Sequence, residues 1–162
     1  MAWRFAVIAL VAACVLVACG ESDDPAPPQG EPKASIPGDA DPADVEVIAA
    51  WAEALAAGEI ESAAAYFAIP SVAENGPLVE ITDEDDALRF NASLPCGGEL
   101  IRAETEGDFT TATFRLTERP GPGTCGEGTG GTAQTAFVIE NERIVEWRRV
   151  GLPGSEGPRR VL

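Results

Sequence analysis

Residues 41–70 read DPADVEVIAAWAEALAAGEIESAAAYFAIP, and this stretch predicts two consecutive helices. Asp41 can cap the first helix, Pro42 suits its first turn and Gly58 can end it. Between these signals, apolar residues recur at helical spacing, namely Val45, Ile48, Ala52 and Leu55, and Trp51 lies beside that stripe. A second helix is expected over residues 59–68 and ends before a proline.

Beyond these helices the pattern changes to strands. Residues 71–81 predict a short hairpin around Asn75-Gly76, a dipeptide typical of tight turns. A third helix is expected over residues 82–93, opened by a capping-box pattern of Thr82 and Asp85. Four strands are expected after it, over residues 100–105, 109–117, 132–140 and 143–150. Helices followed by an antiparallel sheet define an α+β domain, in which the helices cover one face of the sheet.

This order of elements resembles the NTF2-like family, which includes nuclear transport factor 2, ketosteroid isomerase and the SnoaL-like polyketide cyclases. The resemblance rests on residues 51–68 (WAEALAAGEIESAAAYFA) for the first two helices and on residues 136–147 (AFVIENERIVEW) for the last hairpin. It covers most of residues 42–152. It implies an NTF2-like cone, in which N-terminal helices pack against a curved antiparallel sheet and a pocket opens at the wide end.

The same resemblance argues against the chemistry for which the family is best known. Ketosteroid isomerases use a helix tyrosine, an aspartate base and a strand aspartic acid. When their first helices are laid on this sequence without gaps, those positions fall on Trp51, on Asn75 and near Thr135. None of these side chains can take up or hold the required proton. SnoaL-like cyclases use His and Asp, and this chain has no histidine, so no catalytic residue is assigned.

The pocket that the family implies has five candidate lining residues: Trp51, Tyr66, Asn75, Phe90 and Trp147. Aromatic side chains of a small domain fill the core more often than they contact a ligand, so both roles stay open for each of them. The pair Arg148-Arg149 could clamp an anion, or it could belong to a solvated strand face and pair with Glu146 and Glu140.

Two cysteines of the domain are expected to form a disulfide. Cys96 follows the third predicted helix, and Cys125 lies in a glycine- and proline-rich loop over residues 120–131. A bridge between them closes a large loop and contributes about 3 kcal/mol. The alternatives are a redox pair or a metal site. Neither is favoured, because the spacing is not CxxC and no other soft ligands are present.

The amino terminus predicts export. Residues 5–18 (FAVIALVAACVLVA) form an apolar run behind Arg4. The run is shorter than the about 20 residues of a membrane-spanning helix, but it suits a secretory signal. It ends in Leu16-Val17-Ala18-Cys19, which resembles the lipobox of bacterial lipoproteins. The resemblance implies removal of residues 1–18 and a diacylglycerol anchor on Cys19, with acyl chains such as palmitate. An uncleaved anchor and a plain secreted protein are the alternatives.

Composition sets the remaining expectations. Residues 19–41 are rich in Pro, Gly, Asp and Glu and predict a disordered linker, and residues 153–162 predict a flexible tail. The formal net charge of −16 excludes nucleic acid as a partner, because binding phosphates requires Lys and Arg. The absence of histidine removes imidazole catalysis and imidazole metal sites. No cofactor or metal is expected.

Together these features predict a bacterial lipoprotein that is anchored to the cell membrane and faces the outside. Its domain is expected to bind a small apolar ligand or an envelope protein without catalysing a reaction. The alternative is a SnoaL-like or isomerase-type enzyme with atypical catalytic residues. A third possibility is an assembly module, since NTF2-like domains also accompany cell-wall transpeptidases.

Overall fold

The computed structural model of the protein describes residues 35–151. The predicted signal peptide, the lipid attachment at Cys19, the linker up to residue 34 and the tail from residue 153 lie outside the described residues. Within the described range, no helix is both long enough and apolar enough to cross a membrane.

Helices precede most of the strands, as predicted. The helices are α1 (Pro42–Ala57), α2 (Ile60–Ala64) and α3 (Glu84–Ser93). The strands are β1 (Phe67–Glu74), β2 (Leu78–Ile81), β3 (Gly97–Glu106), β4 (Phe109–Thr117), β5 (Thr132–Glu140) and β6 (Arg143–Val150). They form one six-stranded sheet in the order β2-β1-β6-β5-β4-β3. The pair β1/β6 is parallel and the other pairs are antiparallel.

The sheet curves around α1, because register shifts interrupt the pairs β1/β6, β3/β4 and β5/β6 and such bulges bend strands. The α+β class and the cone predicted from the sequence are confirmed. We call the face of the sheet that packs against α1 the inner face, and the opposite one the outer face.

Helix α1 begins and ends where the sequence predicts. The Asp41 carboxylate accepts a hydrogen bond from the Ala43 amide at 2.8 Å, and Pro42 occupies the first turn. At the other end, Gly58 adopts a left-handed φ of 78°, and its amide donates to the Leu55 carbonyl. Glycine tolerates this conformation at little cost. One side of the helix is buried against the inner face through Val47, Ile48, Trp51, Ala52 and Leu55.

The second helix is shorter than expected. Helix α2 ends at Ala64 and β1 begins at Phe67, so the predicted end at Pro70 is wrong and this proline lies within a strand. The reason is a non-local pairing, because the Ile144 amide of β6 donates to the Tyr66 carbonyl at 2.8 Å. Pro70 has no N–H to give, and it falls where the β1/β6 register shifts between Phe67 and Val72.

Helix α3 is capped one residue later than the sequence pattern indicates. Asp83, not Thr82, is the N-cap, and its carboxylate accepts from the Asp86 amide at 2.8 Å. Asp86 reaches back and accepts from the Thr82 amide and hydroxyl at 3.0 and 2.8 Å. These bonds, the Thr82 amide first, hold the pKa of Asp86 below its usual value.

The chain is packed before residue 42, where the linker was expected to end. Ile36 packs against the core, and the Pro37 carbonyl accepts from the Ala103 amide at 3.0 Å. The Asp41 amide donates to Thr105 Oγ1 at 3.3 Å. Residues 36–41 therefore lie along β3, the last strand of the sheet, and give its exposed edge some of the partners that an edge strand lacks. The expectation of a disordered linker is corrected for these residues.

Candidate functional site

A cavity of about 270 Å³ opens on the inner face, between α1, the Leu94–Gly98 segment and strands β4 to β6. Alternation along the strands selects its lining, because successive side chains of a strand point to opposite faces. Thr135 of β5 pairs with Arg149 of β6, and both line the cavity together with Trp147. Trp51 and Phe114 are buried lining residues, whereas Arg149 is exposed. The cavity thus has an apolar inner part and a polar opening.

Two consecutive glycines shape one wall. A Cβ atom on Gly97 would lie 2.9 Å from the Ala56 Cα, and one on Gly98 would lie 3.2 Å from the Phe114 Cβ. Any side chain at Gly97 would therefore push β3 away from α1. Both glycines line the cavity. Because neither carries a side chain, the backbone can pack closely there without filling the cavity.

The predicted disulfide between Cys96 and Cys125 is present, with an S–S distance of 2.05 Å, and Cys96 lines the cavity. The loop that carries Cys125 has a second attachment, because the Glu118 carboxylate accepts from the amides of Cys125 and Gly126 at 3.1 and 2.8 Å. These backbone N–H groups, that of Cys125 first, lower the pKa of Glu118. The Cys96–Cys125 disulfide and the Glu118 carboxylate therefore together hold the loop beside the cavity.

Arg119 joins this loop to the end of α3. It is buried, and its guanidinium donates to the carbonyls of Ala92, Leu94 and Pro120 at 2.6 to 3.1 Å. Neither Glu118 nor Arg119 was predicted from the sequence. Their adjacency to the glycine-rich loop is the only local signal, and their partners lie up to 27 residues away in the chain.

Trp51 is held in one orientation by Asn91, which was not predicted from the sequence as a site residue. Its Nε1–H donates to Asn91 Oδ1 at 2.9 Å, and Asn91 Nδ2 donates to the Ala87 carbonyl at 2.9 Å. Asn91 is fully buried. The Trp51 ring lies edge-on to those of Phe137 and Trp147, at centroid distances of 5.5 and 6.4 Å. One wall of the cavity is thus fixed by hydrogen bonds and aromatic packing.

The structure brings together three of the five pocket candidates. Trp51, Asn75 and Trp147 all line the cavity. Phe90 instead lies behind Trp147 in the core, at a centroid distance of 5.1 Å. Tyr66 lines a separate hollow of about 410 Å³ beside α1 and the β5–β6 turn, because the chain leaves the helix before this residue.

The ionisable groups divide between the two faces of the sheet. Arg149 is the single ionisable side chain among the described residues that line the cavity, apart from the bonded Cys96. Glu74, next to Asn75, turns to the outer face, where its carboxylate pairs with Arg148. No group of three or more His, Cys, Asp and Glu side chains within residues 35–151 could hold a metal ion. The cavity can therefore offer hydrogen bonds and one positive charge.

A larger hollow, of about 630 Å³, lies between α2, α3 and the start of β1. Its lining includes Glu61, Glu84 and Arg143, and the Arg143 guanidinium already donates to the Ala65 carbonyl. It shares no lining residue with the aromatic wall of the inner face. We therefore take the smaller cavity as the candidate site.

No protein-family model matches the chain, and no curated protein matches it in sequence. Solved structures do resemble its backbone. A candidate polyketide cyclase from Sinorhizobium meliloti superposes with a TM-score of 0.51 at 16% identity, covering 65% of this chain and 94% of the other. An NTF2-like protein from Cytophaga hutchinsonii gives 0.51 at 10% identity, covering 73% and 92%. A de novo designed protein with a curved β-sheet gives 0.54 at 14% identity, covering 71% and 89%.

At such low identities a similar backbone shows a shared fold and carries no activity with it. The designed protein makes this plain, since it superposes as well as the natural ones do. The order of helices and strands, the curved sheet and these neighbours agree, and the domain has the NTF2-like fold that the sequence resemblance implied.

Proposed function

We propose that the chain is a lipid-anchored protein of the bacterial cell envelope whose NTF2-like domain binds a small, largely apolar molecule in the inner-face cavity without transforming it. The cavity carries this proposal. It has buried aromatic walls and a few polar groups at its opening, which is the usual construction of a small-molecule site.

The size of the cavity limits the ligand. A volume of about 270 Å³ lies just below the usual range of ligand pockets, about 300–1,000 Å³. It equals the space of roughly nine water molecules at about 30 Å³ each. A compound of one or two fused rings, or a short acyl chain, fits this space.

The chemistry of the lining supports binding without catalysis. General acid–base catalysis needs a side chain that can give and take a proton near neutral pH. The two positions that the family resemblance equates with the helix tyrosine and the base hold Trp51 and Asn75, and both line the cavity. The nearest carboxylate along β1, that of Glu74, is engaged by Arg148 on the outer face.

Native mass spectrometry of the full chain, exported by its native host, tests the binding proposal. The wild-type protein should carry a co-purifying small molecule. Ala133→Phe places a ring in the cavity lining, on a residue that is only half-buried, and should abolish the added mass. Thr113→Phe adds the same ring on the outer face of β4 and should retain it. An empty wild-type protein, or a ligand that survives Ala133→Phe, would contradict the proposal.

A fractionation experiment tests the anchor. The motif Leu16-Val17-Ala18-Cys19 motivates it. Cys19→Ala should release the protein from the membrane fraction, whereas Cys14→Ala, at the other cysteine of the apolar amino-terminal run, should leave it there. If the Cys19→Ala protein stays unprocessed and still sediments with membranes, the apolar run is a simple anchor. Turnover of a 3-keto steroid or a polyketide that disappears in Glu74→Gln would instead favour the enzymatic alternative.

A further inference from the structure

We propose that the ligand of the inner-face cavity is an apolar acid, whose carboxylate pairs with Arg149 at the opening while its apolar body lies against Trp51 and Trp147. This inference rests on the proposed function and adds the chemical class of the ligand. It assigns Arg149 as the residue that determines specificity for the acid group.

The arginines of the described range show why Arg149 is unusual. Six of the seven arginines in residues 35–151 use their guanidinium within the protein. Four form ion pairs and two donate to backbone carbonyls: Arg89 with Asp86, Arg102 with Glu104, Arg115 with Glu99, Arg148 with Glu74 and Glu146, Arg119 with Leu94, and Arg143 with Ala65. Arg149 has no such partner among the described residues.

An arginine without a partner is notable in a chain with 27 acidic and 11 basic residues. The nearest acids along the paired strands, Glu74 and Glu146, both turn to the outer face and are taken by Arg148. Alternation along β6 places Arg149 on the opposite face, beside the cavity. The fold therefore leaves one positive charge uncompensated at the opening of an apolar space.

The guanidinium is suited to a carboxylate, because its planar fork matches the two oxygens of that group. The other polar groups of the lining also include donors. Asn75 contributes an amide, whereas the unpartnered Nε1–H of Trp147 is fully buried and is not offered to the cavity. No lining residue in the described range contributes a carboxylate that would compete. A ligand that brings acceptor atoms complements this lining, whereas a cationic ligand would meet repulsion.

The net charge of −16 restricts where an acid can bind to this protein. A strongly acidic protein repels anions at long range, so an acid can bind only where a local cation and an apolar surface act together. Arg149 beside the aromatic wall is such a place. A solvated surface arginine with no ligand role would instead show no preference between an acid and its neutral analogue.

Calorimetric titration of the full chain with three matched probes distinguishes these cases: 2-naphthoate, the neutral 2-naphthamide and the cationic 2-naphthylmethylammonium. Naphthoate should bind about tenfold more tightly than naphthamide, the ratio expected of one charge-assisted contact. The ammonium compound should bind most weakly. Arg149→Gln should bring naphthoate to the affinity of naphthamide. Arg115→Gln removes the same charge from the outer face and should preserve the preference.

Each other result has a definite meaning. Equal binding of naphthoate and naphthamide, abolished for both by Ala133→Phe, would overturn the role of Arg149 and leave the proposed function standing. A preference for naphthoate that survives Arg149→Gln would also overturn it. Inorganic phosphate serves as a fourth probe. If it binds as tightly as naphthoate, the site recognises simple anions and the proposal of an apolar acid is overturned. Failure of all three probes to bind the wild-type protein would overturn the inference and the proposed function together.

Discussion

The two faces of the sheet treat consecutive arginines in opposite ways. On the outer face, Arg148 is buried and lies between two carboxylates, with its Nε 3.1 Å from Glu146 Oε2 and its Nη1 bonded to Glu74. On the inner face, Arg149 lies at the opening of a cavity and has no ion pair in the described structure. The same residue type thus meets full charge compensation on one side and none on the other.

This difference separates structural polar groups from those available to a ligand. A buried charge must be paired, because removing it from water is costly. The buried charges of Arg148 and Glu146 satisfy that requirement by pairing with each other, and Arg148 also pairs with the partly exposed Glu74. Within this buried pair, only Arg148 Nη2 is left without a hydrogen-bond partner in the described structure. On the inner face, Arg149 is exposed and lines the cavity, so water or a ligand can reach its guanidinium.

Arg148→Met should have the largest effect, because it leaves the Glu146 side chain, only 7% exposed, without its guanidinium partner. We expect the free energy of unfolding to fall by about 3–5 kcal/mol, the usual cost of breaking a buried pair. Urea denaturation of the full chain measures this. Arg115→Met removes an exposed pair with Glu99 and should cost less than about 1 kcal/mol. Similar losses for the two variants would contradict the contrast between the faces.

Replacing both Cys96 and Cys125 by serine should lower the free energy of unfolding by about 3 kcal/mol, because the unfolded chain regains the freedom of a 29-residue separation. The fold should survive, since Glu118 and Arg119 still hold the loop. Thermal denaturation checks the stability, and intact mass before and after reduction checks the bridge. Two free thiols in protein exported by the native host would refute the disulfide.

Trp51→Phe should cost about 1–3 kcal/mol, because it leaves the buried Asn91 Oδ1 without its donor. Asn91→Leu should be destabilising for the reciprocal reason. In a double-mutant cycle measured by urea denaturation, the double variant should lose less than the sum of the two single variants. Additive losses would show that the hydrogen bond between these two residues contributes little.

Glu118 should give the smallest effect, and a pH-dependent one. Its pKa is lowered in the folded protein, chiefly by the Cys125 amide, so its contribution is fully present above the ordinary glutamate value of 4.5. The contribution is lost as the pH falls through the lowered value. The amide resonance of Gly126 should therefore shift on acidification in a two-dimensional NMR spectrum. The same resonance in Glu118→Gln should show no such titration, and an identical shift in both proteins would rule out this cause.

The sequence predicted the elements whose signals are local. Asp41, Pro42 and Gly58 mark both ends of α1, and alternation places β4, β5 and β6 at their observed bounds. The start of β1 was missed because it depends on pairing with Ile144, far along the chain. Ala63, Ala64 and Ala65 favour a helix, so the sequence predicts that α2 continues through these residues.

The candidate site was only partly predictable. Trp51 and Asn75 could be named because the family resemblance places them at the pocket, and Trp147 because an aromatic side chain of a small domain can line one. Arg149 was noted only as half of an arginine pair, since the sequence does not reveal that Arg148 alone is neutralised. The contribution of Gly97 and Gly98 to the cavity could not be predicted from the sequence either, because it depends on how closely β3 approaches α1 and Phe114.

If the inner face binds the ligand, the indole resonances of Trp51 and Trp147 should report it, because both rings line the cavity. In an ¹⁵N-labelled full chain titrated with 2-naphthoate, the indole resonance of Trp147 should shift strongly, because its ring lines the cavity beside Arg149 and the naphthyl ring would lie against it. That of Trp51, bonded to Asn91, should shift less, and the backbone amides of Thr135 and Arg149 should move with Trp147. Shifts confined to the outer face around Arg148, with both indoles unmoved, would contradict the account.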